Sequence, residues 1–293
     1  MYRTRLRGQL LVLCLTFFSY ASFHITRKSF SFAKVNIAYP RCPTGQVLTV
    51  NDTSICPASS CTLNTTADGT GLPLCDSFFG DLELTTSYLA MLDTLFLFFY
   101  ACGLFVAGHI VDRMDVRKAL VMGMVLSSLT VFGFAVLAHL NITTFWPYAV
   151  MWSINGLIQA AGWPANVAIM GSWFGSIPCG CCGGSGSSGN SGNSGDGRRK
   201  KCGRGAIMGA WAGNASAGNV FSSWVFFLVL TYATKLPGFA PSQNGNWILA
   251  MIVSAGILLF VAILVHFFVR LPTETGWSDS SEDGDDDLDY IEK

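Results

Sequence analysis

Residues 85–138 decide the fold: TTSYLAMLDTLFLFFYACGLFVA (85–107), GHIVDRMDVRK (108–118) and ALVMGMVLSSLTVFGFAVLA (119–138). The first and third segments are apolar, and each is about as long as the ~20 residues that a helix needs to cross the hydrocarbon core of a bilayer. The segment between them is short and highly charged. This pattern predicts two membrane-spanning helices joined by a tight polar hairpin.

The rest of the chain has the same membrane-like composition. Of its 293 residues, 51% are hydrophobic and only 12% are charged, which is about half of the ~25% charge of soluble chains. The formal net charge is zero, so the chain lacks the basic balance of a nucleic-acid-binding protein. We therefore predict an all-α membrane protein that resides in the lipid bilayer and binds no nucleic acid.

Six apolar stretches reach or approach the length of a membrane span. They are Leu10 to Ala38, Thr85 to Ala107, Ala119 to Ala138, Phe145 to Phe174, Ala206 to Tyr232 and Trp247 to Val269. The sequence thus predicts six transmembrane helices within residues 10–270. A cleaved signal peptide is the alternative for the first stretch, because Arg3, Arg5 and Arg7 precede its apolar run and Ala21 follows it.

The distribution of basic residues predicts the orientation of these helices. Outside the first helix, one side collects Arg3, Arg5, Arg7, Arg113, Arg117, Lys118, Arg198 to Lys201, Arg204 and Arg270. Loops rich in Lys and Arg stay in the cytoplasm. We therefore expect residues 1–9 and the acidic tail 271–293 to be cytoplasmic, so that both termini lie on that side.

Two loops are expected to differ sharply in character. Residues 39–84 lie on the lumenal or extracellular side, where glycosylation is expected at Asn51 and Asn64, and at Asn141 in the next loop on that side. Four cysteines of this loop are expected to form two disulfides, in any of three connectivities: Cys42, Cys56, Cys61 and Cys75. Residues 175–203 are rich in Gly and Ser and are predicted to form a disordered cytoplasmic loop.

Polar residues within the first helix are the strongest functional signal, because an ionisable group in the hydrocarbon core is costly and marks a pathway or a site. Tyr20, His24, Arg27, Ser31 and Lys34 recur every three or four residues and share one helical face. A guanidinium matches phosphate oxygens bidentately, whereas lysine adds a point charge. The stripe predicts an anion-binding face; snorkelling of Arg27 and Lys28 to the membrane surface is the alternative.

Milder polar faces follow the second and fourth predicted helices. Thr86, Asp93 and Tyr100 recur every seven residues in the second, and Asn155, Gln159 and Asn166 lie on one face of the fourth. Asp93 is expected to pair with a basic group, to carry a coupling proton or to cap the bundle. In the fourth helix Pro164 leaves a backbone carbonyl without its usual partner. No spacing of Cys, His or acidic residues fits a common metal site.

The hairpin 108–118 has the pattern Gly-x3-Asp-Arg-x3-Arg and resembles the signature loop of the major facilitator superfamily. Further segments resemble its organophosphate:phosphate antiporter branch, above all the eukaryotic sugar-phosphate exchangers. These segments are 20–30, 155–164, 173–174, 204–211 and 218–219. The resemblance implies six helices that form one half of a twelve-helix fold.

The same resemblance implies a function and the residues that carry it. Members exchange a phosphorylated sugar or glycerol phosphate for inorganic phosphate by alternating access, with no cofactor and no catalytic residue. The resemblance implies that Arg27 binds phosphate and that Lys28 accompanies it. We expect the other substrate-binding residues to be His24, Tyr20, Gln159 and Asn214, and the gating residues to be Gly108, Asp112, Arg113 and Arg117. Asn214 stands where the family often has a histidine, so that position here is neutral.

Length sets the chain apart from the family, whose second half supplies another phosphate-binding arginine. The expected partner is therefore a missing carboxy-terminal half or a second copy of this chain. The alternative is a half-length membrane protein that transports nothing and regulates a full-length relative. A membrane phosphatase is disfavoured, because no nucleophilic histidine lies among acids and clustered basic residues. The resemblance favours the endoplasmic reticulum membrane, with the plasma membrane or another endomembrane as alternatives.

Overall fold

The computed structural model describes residues 2–38, 78–80, 82–174, 204–233 and 247–272. In order, its helices are α1 (Tyr2–Ala38), α2 (Leu82–Arg113), α3 (Val116–His139), α4 (Phe145–Gln159), α5 (Gly162–Phe174), α6 (Arg204–Ala212), α7 (Asn214–Ala233) and α8 (Trp247–Phe268). The predicted all-α architecture is confirmed.

Four helices of the described residues are long and apolar enough to cross a membrane, namely α1, α2, α3 and α8. They correspond to the first, second, third and sixth predicted spans. The fourth and fifth predicted spans each contain a short break, so the count of six spans is confirmed only in part. The chain forms α4 and α5 in the first case and α6 and α7 in the second.

Both breaks follow from local backbone chemistry. Pro164 has no N–H, so the carbonyl of Ala160 loses the donor four residues later, and the N–H of Ala161 turns to the carbonyl of Ile158 at 3.2 Å. The second break lies at Gly213, whose N–H donates to the carbonyl of Ala210 at 3.2 Å. These tighter i to i−3 bonds are typical of a helix end.

The bundle is arranged around α1 and α3. α1 packs against α5, α7 and α8, α3 packs against α4, α5 and α8, and α2 packs mainly against α4. One apolar cluster contains the later part of α1, including Phe30, while the other contains its earlier part, including Phe23. Between these clusters, α1, α3 and α4 carry a set of buried polar side chains, which we call the polar layer: Thr26, Ser127, Asn155 and Gln159.

The turn between α3 and α4 contains the one predicted glycosylation site that the structure describes. Asn141 is exposed and has φ 55°, a left-handed conformation that Asn tolerates better than most residues. The other two expected acceptors, Asn51 and Asn64, lie outside the described residues. So do all four cysteines of the predicted disulfides, the loop 175–203 and residues 273–293 of the acidic tail.

Candidate anion-binding site

Arg27 lies in the polar layer, half-buried between α1, α2 and α4. Its Nε donates a hydrogen bond to Oε1 of Gln159 at 2.5 Å. The guanidinium carbon lies 4.4 Å from the ring centroid of Tyr100 and 5.6 Å from that of Phe96. Its Nη2 is buried and has no hydrogen-bond partner.

The charge of this guanidinium is not neutralised within the described part of the chain. No acidic side chain there forms an ion pair with Arg27. Aromatic rings attract a cation through their quadrupole but carry no net charge, and an uncompensated charge away from water is costly. A phosphate group would supply both the missing negative charge and acceptors for the free N–H groups. The arrangement is therefore suited to an oxyanion.

A hydrogen-bond network holds Gln159 in the orientation that Arg27 needs. The amide nitrogen of Gln159 donates to Ser127 Oγ at 3.0 Å, to Asn155 Oδ1 at 3.2 Å and to Thr26 Oγ1 at 3.3 Å. Ser127 in turn donates to Asn155 Oδ1 at 2.7 Å. Because the amide nitrogen is occupied by these acceptors, Oε1 is left to face the guanidinium.

Aromatic side chains line the adjoining part of α1. The ring of Tyr20 lies 5.0 Å from that of His24 and 5.1 Å from that of Trp163, and Trp163 lies 5.5 Å from Trp211. Trp163 is partly exposed. His24 Nε2 is buried without a hydrogen-bond partner. We call the rings of Tyr20, Trp163 and Trp211 the aromatic wall. Beside it, Nε2 of His24 is a further polar atom without a partner among the described residues, about one turn of α1 from Arg27.

One face of α6 and α7 packs directly on α1. Trp211 Nε1 donates to Thr16 Oγ1 at 3.1 Å, and a Cβ at Gly218 would lie 2.4 Å from the carbonyl oxygen of Ala21. Only glycine permits this approach. Asn214, on the same face, is fully buried, and both polar atoms of its side chain lack a partner. A polar group of a ligand or ordered water is needed to satisfy them.

The structure therefore gathers some of the predicted substrate-binding residues and separates others. Tyr20, His24, Arg27 and Gln159 lie together, with Asn214 on the neighbouring helix. Lys28 is exposed on another face of α1, and it forms no ion pair with any residue that the structure describes.

A second cation of the same α1 face lies in a different environment. Lys34 forms an ion pair with Asp93 of α2, and its ammonium nitrogen is 5.6 Å from the ring centroid of Phe30. The two charged side chains remain 25% and 42% exposed. Three roles were expected as alternatives for Asp93, and the ion pair with Lys34 agrees with the first of them, pairing with a basic group. A coupling proton on this carboxylate stays a prediction.

The predicted gating residues lie at one end of the bundle. α2 continues to Arg113 and α3 starts at Val116, so Gly108 and Asp112 lie in the last turns of α2 and not in a loop. A methyl group at Gly108 would meet nothing within 4 Å. Asp112 and Arg113 are exposed, and neither forms an ion pair among the described residues.

Arg117 instead joins two helix ends. Its Nη1 donates to the carbonyl of Val269, just beyond α8, at 3.1 Å, and its backbone N–H donates at 3.1 Å to the capping carboxylate of Asp115. Nearby, Trp173 Nε1 donates to the carbonyl of Arg270 at 2.9 Å. These bonds fasten the ends of α3, α5 and α8 to one another.

Sequence reasoning missed three parts of the site. Tyr100 and Phe96 form the surface on which the guanidinium rests, and Trp163 forms the aromatic wall. The spacing of Asp93 and Tyr100 was a usable signal, since residues seven apart share a helix face. Nothing in the sequence alone indicated that this face of α2 meets Arg27. Within the described residues, no group of three His, Cys, Asp or Glu side chains is placed to hold a metal ion.

Comparison with known proteins identifies the family to which the chain is similar. The family model described as Major Facilitator Superfamily matches residues 58–288. Sugar phosphate exchanger 3 of Gallus gallus is 34% identical over 252 residues, covering 85% of this chain and 42% of the relative. The Homo sapiens protein of that name is 33% identical over 91% of this chain and 44% of its own length.

A third relative, the glucose-6-phosphate exchanger of Homo sapiens, is 29% identical over 88% of this chain and 41% of its own length. The chain thus spans less than half the length of these curated relatives. No solved structure matches the chain.

Proposed function

Because the chain belongs to the Major Facilitator Superfamily, we propose that it exchanges a phosphorylated sugar or glycerol phosphate for inorganic phosphate across a membrane. The observation that carries the proposal is the guanidinium of Arg27, which is held by Gln159 and two aromatic rings and is paired with no acid in the described part of the chain. Phosphate is the group that both cargoes share. A preorganised cation that binds the phosphate group can therefore bind either substrate of the exchange.

The proposed mechanism is alternating access with no covalent step. Phosphate binds at Arg27, while Tyr20, His24 and Asn214 contact the remainder of the cargo. The protein then moves between two arrangements that open the site to opposite sides. The buried polar atoms of His24 and Asn214 that lack partners support this division of labour.

Exchange requires a second half-bundle facing this one. Either further chain supplies it or a second copy of this chain does. Asp112 and Arg113, exposed at the end of α2, would contact the opposing half and hold one gate conformation through charge. Lack of exchange by the isolated chain together with co-purification of a twelve-helix relative would instead favour a regulatory role.

The membrane orientation is part of the proposal. Arg113, Arg117 and Arg270 cluster at one end of the bundle, which supports a cytoplasmic location for that end and for both termini. We also propose the endoplasmic reticulum membrane, which the sequence resemblance favours. Attachment of a glycan at Asn141 that endoglycosidase H removes would support both the lumenal side of that turn and the organelle.

Uptake of labelled inorganic phosphate into phosphate-loaded proteoliposomes tests the function. The unmodified protein should exchange phosphate, and Arg27→Ala should abolish the exchange. Lys118→Ala is the matched control, because it removes a positive charge from a side chain that is 71% exposed. Equal exchange by the unmodified protein and Arg27→Ala would remove the site assignment.

A further inference from the structure

The ion pair between Lys34 and Asp93 lies on the same two helix faces as the proposed phosphate site. Arg27 and Lys34 are separated on α1 by about 10 Å at 1.5 Å per residue. On α2, Asp93, Phe96 and Tyr100 are spaced as neighbours on one face, and that face contacts both cations. One continuous α1–α2 surface therefore carries a free guanidinium at one point and a balanced pair at the other.

The pair is unusual for its surroundings. Lys34 lies within one candidate membrane span and Asp93 within another, where charges are costly unless they meet water or a ligand. Both nevertheless remain partly exposed, at 25% and 42% of their side-chain surface. The pair therefore keeps donor and acceptor positions that water or a ligand can occupy.

We propose that Lys34 and Asp93 bind hydroxyl groups of the organic part of the cargo and so determine which organophosphates are accepted. This inference rests on the proposed function. The ammonium has donors beyond the one that Asp93 occupies, and the carboxylate has several acceptor positions. A sugar hydroxyl both donates and accepts, so it can bridge the two charged groups without separating them.

The arrangement also sets the direction of the cargo. The phosphate moves to Arg27, the cation without an acid, and is repelled by Asp93 at the other end of the surface. A cargo with phosphate at both ends would bring its second phosphate against that carboxylate. The surface therefore selects monophosphates that carry hydroxyl groups at the opposite end.

The test is counterflow into phosphate-loaded proteoliposomes of the purified protein. Glucose 6-phosphate and inorganic phosphate are the substrates, and glucose 1,6-bisphosphate is the competitor. In Asp93→Asn, the half-saturating concentration of glucose 6-phosphate should rise about tenfold, as expected for the loss of a hydrogen bond to a charged group. That of inorganic phosphate should change much less, because inorganic phosphate binds at Arg27 and is too small to reach Asp93, which pairs with Lys34 about 10 Å further along α1.

Inhibition by the bisphosphate should strengthen in Asp93→Asn, because Lys34 is then free to bind the second phosphate. If unpaired Lys34 prevents folding, the double variant Lys34→Met with Asp93→Asn is used, since it has no unpaired charge. The half-saturating concentration of glucose 6-phosphate should rise in this variant as well. Lys118→Met, which breaks the surface pair with Asp115, is the matched control and should behave as the unmodified protein.

Two results would overturn the inference. Equal losses for inorganic phosphate and glucose 6-phosphate would show that the pair only holds helices together, and no change for either substrate would show that the cargo does not reach it. Absence of exchange by the unmodified protein, both alone and joined to a second half-bundle, is a different outcome. The proposed function then fails, and this inference fails with it.

Discussion

Arg27 and Lys34 share a face of α1, and both look onto α2, but the protein treats their charges in opposite ways. Lys34 meets the carboxylate of Asp93, whereas Arg27 meets the rings of Tyr100 and Phe96 and the neutral amide of Gln159. The aromatic partners hold the guanidinium in place without cancelling its charge. Within the described residues, Arg27 therefore differs from Lys34 in lacking a counterion, and this lack marks it as the binding cation.

The strongest way to break this difference is to give Arg27 an acid. Gln159→Glu places a carboxylate where the amide oxygen now lies, 2.5 Å from Nε. Phosphate exchange should fall about 100-fold, the equivalent of losing about two hydrogen bonds to a charged group. The measurement is the initial rate of labelled phosphate exchange in proteoliposomes. Gln159→Met, which removes the acceptor but adds no charge, should lose less, and equal losses would refute compensation as the cause.

A second variant disturbs the helix contact on which the Arg27 region depends. A Cβ at Gly156 would lie 2.5 Å from the backbone oxygen of Phe96, so Gly156→Ala should push α4 from α2 and cost about 2 kcal/mol of unfolding free energy. Gly256→Ala is the matched control, since nothing lies within 4 Å of its added Cβ. Thermal unfolding in detergent measures both. Identical midpoints would show that α2 and α4 are not in close contact at Gly156.

The Lys34 region should matter more for stability than the Arg27 region does. Asp93→Asn leaves Lys34 unpaired and should cost about 1.5 kcal/mol, between the values typical of exposed and of buried pairs. Arg27→Met should lower the unfolding free energy by less, because it removes a charge that has no counterion among the residues that the structure describes and leaves no charge unpaired. Thermal unfolding of both variants makes the comparison. A larger loss for Arg27→Met would reverse our assignment of the two cations.

The smallest expected effect concerns the ring beneath Arg27. Tyr100→Leu removes a cation–π contact of 4.4 Å and should weaken phosphate binding about fivefold, as for an interaction of about 1 kcal/mol. Tyr100→Phe keeps the ring and should stay near the unmodified protein. Half-saturation of exchange by inorganic phosphate measures both variants. If Tyr100→Phe is as impaired as Tyr100→Leu, the hydroxyl and not the ring supports the guanidinium.

Much of the fold was predictable because membrane helices leave a strong sequence signal. Length and hydropathy predicted α1, α2, α3 and α8, and helical spacing predicted that Tyr20, His24 and Arg27 share a face. Pro164 and Gly213 were visible in the sequence, but neither requires a break. Whether a span bends or divides depends on how its freed carbonyls are satisfied by neighbouring groups.

The site was predictable only in part, for a physical reason. Periodicity states which residues share a face but not which face of another helix they meet. The pairing of Lys34 with Asp93, and the contact of Arg27 with Gln159 and Tyr100, depend on packing between distant segments. Lys28 shows the same limit. The family resemblance implied a role for it beside Arg27, but a step of 100° along the helix leaves its side chain exposed on another face. Its part in the site stays a prediction.

Equilibrium binding of labelled inorganic phosphate to the purified protein measures whether Arg27 supplies the charge that binds phosphate. The comparison is between Arg27→Met and the double variant Lys34→Met with Asp93→Asn, both in the same detergent. We expect Arg27→Met to abolish binding. The double variant should bind within about twofold of the unmodified protein, because it removes one positive and one negative charge together. Near-native phosphate affinity in Arg27→Met, or an equal loss in both variants, would contradict this expectation.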